Sequence, residues 1–160
     1  MPPRPSPKAK PAPRHAGGFP PHSSSGYLVR DAHRAFQRLL ERRIAPFGVT
    51  RGQWYFLRVL WITDGLSQRE LSARVGMMEP TIIALRSMEK SGLIRRVRGD
   101  DDRRKVLVFL TAKAKRLRGE LLAVARTITA EAEEGIAPRD LAAFRRIVAR
   151  MTENLDRIER

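Results

Sequence analysis

From Tyr27 onward, apolar side chains recur at the three- and four-residue spacing that collects them on one side of a helix, and breakers cut the pattern into segments. The first segment, about 27–45, aligns Leu28, Ala32, Ala35, Phe36, Leu39 and Leu40 and stops at Pro46-Phe47-Gly48. A second begins at Thr50, where Thr50 and Gln53 have capping-box spacing; it carries Trp54, Phe56, Leu57, Leu60 and Trp61 and stops near Asp64-Gly65. Ser67 and Glu70 repeat the box, Leu71 and Val75 point inward, and Gly76 closes that helix. A fourth helix starts near Pro80, a residue suited to the first helical position because its missing N–H is not needed there. Ile82, Leu85 and Met88 form its inner side and Gly92 ends it. Two strands follow, about 94–98 and 105–110, around a tip from Gly99 to Arg104.

Two long helices complete the pattern. One runs from Thr111 to about Glu134 with Leu117, Leu121, Val124 and Ile128 in line. The other follows Pro138, and its Leu141, Phe144, Val148, Met151, Leu155 and Ile158 are spaced alternately three and four residues apart, a heptad seam. Such a seam packs on another helix, either the chain's own first helix or a second subunit. The domain is too small to cover it all, which favours a homodimer whose interface takes in these six residues with Leu28 and Leu39. Residues 1–26 break with the rest. They hold most of the prolines, with Arg4, Lys8, Lys10 and Arg14 and no acid, and read as a disordered tail.

Two short helices across a tight turn, then a hairpin loaded with arginine, describe a winged helix-turn-helix. The expected fold is mainly α with a small β wing. Residues 27–160 form one domain, with a DNA lobe over 47–110 and dimerisation helices over 27–46 and 111–160.

Charge sharpens this reading. The chain of 160 residues has a net charge of +15, and the tail supplies only a minor part of it. A balance this basic calls for an anionic partner, most often nucleic acid. The absence of cysteine removes disulfides, zinc-thiolate sites and thiol sensing. His15, His22 and His33 form no spaced ligand pair, so no metal is expected. No apolar run reaches membrane-spanning length and no hydrophobic signal core is present, so the expected location is the cytoplasm, at the nucleoid. With no nucleophile–base pair and no phosphate-cradling glycine loop, an enzyme is not expected, and no cofactor with it.

In a helix-turn-helix the second helix enters the major groove with its N-terminal residues nearest the base edges. Here Thr81, Ile83, Ala84 and Arg86 are the outward positions that would meet double-stranded DNA, beside Ser87. Thr81 and Arg86 can hydrogen-bond bases or phosphates, whereas Ile83 and Ala84 offer only apolar contact. Ser67 and Gln68, opening the preceding helix, sit where a phosphate can be held. The hairpin adds Arg95, Arg96, Arg98, Arg103, Arg104 and Lys105; Asp102 is expected to pair with a neighbouring arginine, leaving Arg103 or Arg104 for the minor groove.

With LSARVG, the proline-threonine helix start, LRSMEKSGLIRR and DDRRKVLVFLT in place, the sequence resembles the MarR family of bacterial transcription regulators over about residues 27–160. The resemblance implies a homodimer on a pseudo-palindromic operator, usually a repressor, released when a small ligand enters a pocket between dimer and DNA lobes. Missing cysteines exclude a thiol-based peroxide sensor and leave an organic effector. Arg30, Arg34, Arg38 and Arg42 recur every four residues with His33 beside them, a stripe able to hold an anion; Trp54 and Arg58 lie on the next helix. An aromatic acid or its coenzyme A thioester fits that chemistry. The alternatives are a solvated arginine face, aromatic residues that are simply core, a ligand-independent architectural DNA binder, and an RNA- or ribosome-associated basic protein. Against the last, the aromatic residues lie in apolar helical patterns rather than on a stacking surface.

Overall fold

The computed structural model describes residues 21–76, 81–98 and 105–159. Short 3-10 turns at Pro21–Ser23 and Ala45–Phe47 flank helix α1, Ser25–Ile44. Then come α2 (Arg51–Leu60), β1 (Leu66–Ser67), α3 (Gln68–Val75), α4 (Thr81–Lys90), β2 (Ile94–Arg98), β3 (Val106–Leu110), α5 (Ala112–Ala132) and α6 (Pro138–Ile158). The order is mainly helical with a small antiparallel sheet, as the apolar periodicity predicts.

The chain divides into two compact units, Met1–Ala35 and Phe36–Arg160. In the first, the Tyr27 amide donates to Ser24 Oγ at 3.4 Å and the Arg30 guanidinium lies 4.6 Å over the Tyr27 ring. Leu28, Ala32 and Ala35, expected on an apolar side, are exposed there.

The second unit holds the core. Capping starts its helices where the sequence places them. Thr50 Oγ1 accepts from the Gln53 amide while Gln53 Oε1 accepts from the Thr50 amide at 3.0 Å, which satisfies a backbone donor at each side of the α2 start. Ser67 and Glu70 do the same for α3. Gly76 ends α3 in a left-handed conformation, as expected of a glycine after a last turn. Thr111 caps α5 by accepting from the Ala114 amide. Leu57, Leu71, Leu85, Met88, Leu93, Val108 and Leu121 are wholly buried and join α2, α3, α4, the sheet and α5 into one core. Each such side chain stabilises the fold by roughly 1.5–3 kcal/mol.

The end of α2 departs from the sequence reading. The helix stops at Leu60, before the expected Asp64-Gly65. The amides of Ile62 and Thr63 both donate to the Val59 carbonyl, which tightens the chain into a turn. Asp64 Oδ1 then accepts from the Gly65 amide at 3.1 Å and the Leu110 amide at 2.8 Å, and Lys115 Nζ lies 3.3 Å from Oδ2. Gly65 has φ +76°, and a Cβ there would stand 2.7 Å from the Phe109 ring, so the turn requires glycine on two counts.

That turn delivers β1, a strand the sequence reading does not contain. It is two residues long, too short to show alternation. Leu66 pairs with Val108 and Ser67 with Leu107, so the sheet has three strands in the order β1-β3-β2, with β3 central. Trp61 Nε1 donates to the Ala114 carbonyl at 3.0 Å and fastens the α2 end to the first turn of α5.

At the other extreme, α6 buries none of its residues. Phe144, Ile147, Leu155 and Ile158 are each more than half exposed. Leu39, expected at a dimer interface, is partly buried and packs against this chain's own core.

The Asp64 carboxylate holds the chain turn, the central strand and α5 together. Asp64→Ala should therefore cost about 1–3 kcal/mol, because the Leu110 amide loses its acceptor, while the Gly65 amide keeps the Val108 carbonyl. Urea denaturation followed by far-UV circular dichroism measures this; an unchanged midpoint would show that water replaces the carboxylate.

Candidate nucleic-acid interface

Helices α3 and α4 form the helix-turn-helix pair. Leu85 and Met88 anchor α4 and are wholly buried, while Ile83 is 65% exposed and Arg86 is exposed, as an outward-facing pair should be. Two positions correct the sequence reading. Ala84, expected outward, is half-buried and packs against the core. Ile82, expected inward, is 54% exposed. It lies one turn before Leu85 on the same side, where the helix extends past the core. Thr81 opens α4, but its side chain lies outside the described residues.

The C-terminal end of α4 is heavily tied. Thr111 Oγ1 donates to the Gly92 carbonyl at 2.7 Å, the Thr111 amide donates to the Leu93 carbonyl at 3.0 Å, and Lys113 Nζ donates to the Ser91 carbonyl at 2.9 Å. From α2, the buried Gln53 donates to Ser87 Oγ at 3.1 Å and to Ser91 Oγ at 3.4 Å. The helix is fixed at one end, and the end that projects carries Ile82, Ile83 and Arg86.

The candidate phosphate contacts fare unequally. Ser67 is 8% exposed; its hydroxyl accepts from the Glu70 amide and donates to the Glu70 carboxylate. That hydroxyl is spent on capping, so Ser67 is not available as a donor to phosphate, contrary to the sequence reading. Gln68, at the first position of α3, is half-exposed. Bonds from the Ser67 side chain and backbone hold the Glu70 carboxyl below the usual carboxylate range.

On the wing, Arg96 is not free. Its Nε donates to Glu89 Oε2 at 3.0 Å and a terminal nitrogen donates to the same oxygen, joining β2 to the last turn of α4. This bond from Arg96 lowers the Glu89 pKa below its ordinary value. Arg96 thus braces the wing rather than standing ready for DNA. Arg95 lies 4.9 Å over the Phe109 ring, whereas Arg98 and Lys105 are exposed. Arg103, Arg104 and the expected Asp102 pairing lie outside the described residues.

A second feature lies between the end of α2 and α5. A cleft of about 440 Å³ is lined by Arg58, Leu122, Ala125, Arg126, Thr129, Ala130 and Glu133. Of the sequence-predicted ligand residues, Arg58 lines this cleft. Trp54 does not: it is 4% exposed in the core, edge-on to Trp61 with ring centroids 5.9 Å apart, and Arg58 lies 5.5 Å above it. Arg38 is exposed on α1, and Arg30, His33 and Arg34 are exposed helical residues of the first unit. Sequence reasoning missed Arg126 and Thr129. A cation near Val124 and Ile128 was visible in the α5 pattern, but not its position across from Arg58.

Of the seam on α6, Phe144, Leu155 and Ile158 are exposed and Leu141, Val148 and Met151 are partly exposed. Among the described residues, no group of three or more His, Cys, Asp and Glu could hold a metal, and no helix is long and apolar enough to cross a membrane.

Comparison with known proteins agrees with this geometry. The profile of the MarR family matches residues 49–106. The HTH-type transcriptional regulator TtmR of Methylorubrum extorquens (strain PA1) is 34% identical over 103 residues, covering 64% of this chain; the match spans about half of that relative, 53% of its length. Transcriptional regulator PA3341 is 30% identical, with a TM-score of 0.72 over 84% of this chain and 99% of its own. A MarR transcriptional regulator from Methanosarcina mazei Go1 is 28% identical, with a TM-score of 0.75 over 83% of this chain and 96% of its own.

The Glu89–Arg96 pair makes a pH prediction. A carboxylate with a depressed folded pKa contributes stability above its unfolded value, near 4.5, and loses it as pH falls through the lower folded value. Wild-type stability should thus decline below about pH 4.5. Glu89→Gln should be less stable at neutral pH and show a shallower acid limb. Melting temperatures across pH 3–7 test this (roughly the span over which carboxylates titrate), and parallel wild-type and variant curves would count against the brace.

Proposed function

The chain belongs to the MarR family of transcriptional regulators, and from that premise we propose that it is a homodimeric repressor released from a pseudo-palindromic operator by a small anionic ligand. It is a DNA-binding regulator and not an enzyme. The observation that carries the reading is the projecting end of α4, which offers Ile83 and Arg86 while its other end is fixed to the core. Thr81, Gln68, Lys105, Arg103 and Arg104 complete the proposed contact set, with base reading by α4 and phosphate or minor-groove contacts from the wing. The winged module spans 47–110, and residues 27–46 and 111–160 supply the dimer helices. The expected place of work is the cytoplasm, at the nucleoid.

The dimer follows from α6. This 21-residue helix carries a continuous apolar seam and no buried residue. In proteins most helical stability comes from packing an apolar face, so the exposed seam favours a second copy.

The ligand reading rests on the cleft beside α5. Glu133 is already paired with Arg145 at 2.7 Å, which leaves Arg58 and Arg126 as the cations over an apolar floor of Leu122, Ala125 and Ala130. Two guanidinium groups suit a carboxylate, and the floor suits a ring. The volume fits an aromatic acid, with any coenzyme A portion outside. Release requires that the ligand bind the two dimer shapes unequally.

Binding should be measured on DNA upstream of this protein's own gene at fixed salt, with and without aromatic acids and their coenzyme A thioesters. Selective binding released by one compound is expected, and Arg58→Ala/Arg126→Ala should bind the DNA but ignore that compound. Weak, unselective binding indifferent to every compound would favour an architectural or RNA-associated role. Separately, Phe144→Glu/Leu155→Glu should sediment as a monomer with its core intact; a variant that sediments as the wild type does would remove α6 from the interface.

A further inference from the structure

We propose that Gln53, which lies on α2 and is 3% exposed, is the positioning residue of the recognition helix: its carboxamide sets the rotation of α4 and so the sequence selectivity of the protein, without touching DNA. The inference rests on α4 being the base-reading helix.

The carboxamide has no freedom of orientation. Its oxygen accepts from the Thr50 amide at 3.0 Å, so the nitrogen must face the other way. A flipped amide would set N–H against N–H at the α2 cap. The capping box that starts α2 therefore aims two donors at α4. They reach Ser87 Oγ at 3.1 Å and Ser91 Oγ at 3.4 Å. These serines are four residues apart, one helical turn, and lie on the same side of the helix.

Two points along the axis constrain both rotation and tilt, which one point would not. Leu85 and Met88 anchor α4 by burial, which is non-directional and tolerates sliding, while Arg96 reaches only Glu89 in its last turn and Thr111 and Lys113 bond residues beyond its last residue. Hydrogen bonds are directional and do not. Ser87 stands six residues from Thr81, about 9 Å along the axis at 1.5 Å per residue. A tilt of about 10° at the clamp would move the projecting end by roughly 1.5 Å over that lever. A bidentate base contact does not survive such a shift, whereas a phosphate contact through a flexible arginine does.

The test uses the full-length protein and a duplex that the wild type enriches from a random-sequence pool. The readout is the ratio of affinities for that duplex and for a scrambled one at fixed salt. Gln53→Met should lower the ratio by about tenfold, the scale of one lost base-pair preference, with affinity for the scrambled duplex and its salt dependence unchanged. Ser87→Ala/Ser91→Ala should do the same, and adding Gln53→Met to it should have no further effect. Because Gln53 is buried, the loss in its variant cannot come from a DNA contact of its own. A merely structural role would weaken binding to both duplexes together with the melting temperature. If Gln53→Met fails to fold, the serine variant carries the test. Selectivity equal to wild type in the variants would overturn the clamp alone. A wild-type protein that enriches no sequence would overturn both the clamp and the reading of α4.

Discussion

Thr111 caps α5 and, with the same hydroxyl, holds the carbonyl of Gly92 just past the end of α4. Much of the molecule depends on that junction. A ten-residue helix is not stable by itself, and α4 leaves its first turns uncovered. It has to be held by its other end. Here Thr111, Lys113 and Gln53 supply directional bonds to the residues that close α4, while Leu85 and Met88 supply the burial. The projecting end can stay exposed and apolar, at Ile82 and Ile83, because it takes no part in holding the helix.

The same economy of bonding shapes the sheet. β3 is central, and its last amide, that of Leu110, finds no strand partner but the carboxylate of Asp64. The next residue is the α5 cap, so wing, α2 turn and α5 meet within a few ångströms. The wing is braced separately from the α4 side by Glu89 and Arg96.

The net charge of +15 is a long-range property, and individual arginines divide its uses. Arg96 is bonded to Glu89, Arg95 covers Phe109 and Arg43 meets Glu131 at 2.7 Å. Counting cations therefore says that the partner is an anion but not which residues touch it. That distinction needs the geometry of each guanidinium.

Much of the fold was legible in the residues. Capping boxes at Thr50 and Ser67, the glycine after α3 and the heptad spacing of α6 are local signals, carried by neighbours in sequence and so readable without a structure. The site was legible in part. Ile83 and Arg86 face outward as helical spacing requires, but Ile82 and Ala84 exchange roles because exposure depends on where the core ends, not on helix phase. Ser67 and Trp54 have suitable chemistry for a ligand, yet one is consumed by its own cap and the other by the core. Sequence alone determined the helices, their caps, the charge and the unpartnered seam, since each follows from residues within a few positions of one another. The third strand, the Asp64 node, the Gln53 bonds to α4 and the meeting of Arg58 with Arg126 at one cleft came from the packing of the folded chain. Those join residues far apart in the chain, and periodicity carries no information about which distant side chains the packing of a core brings together.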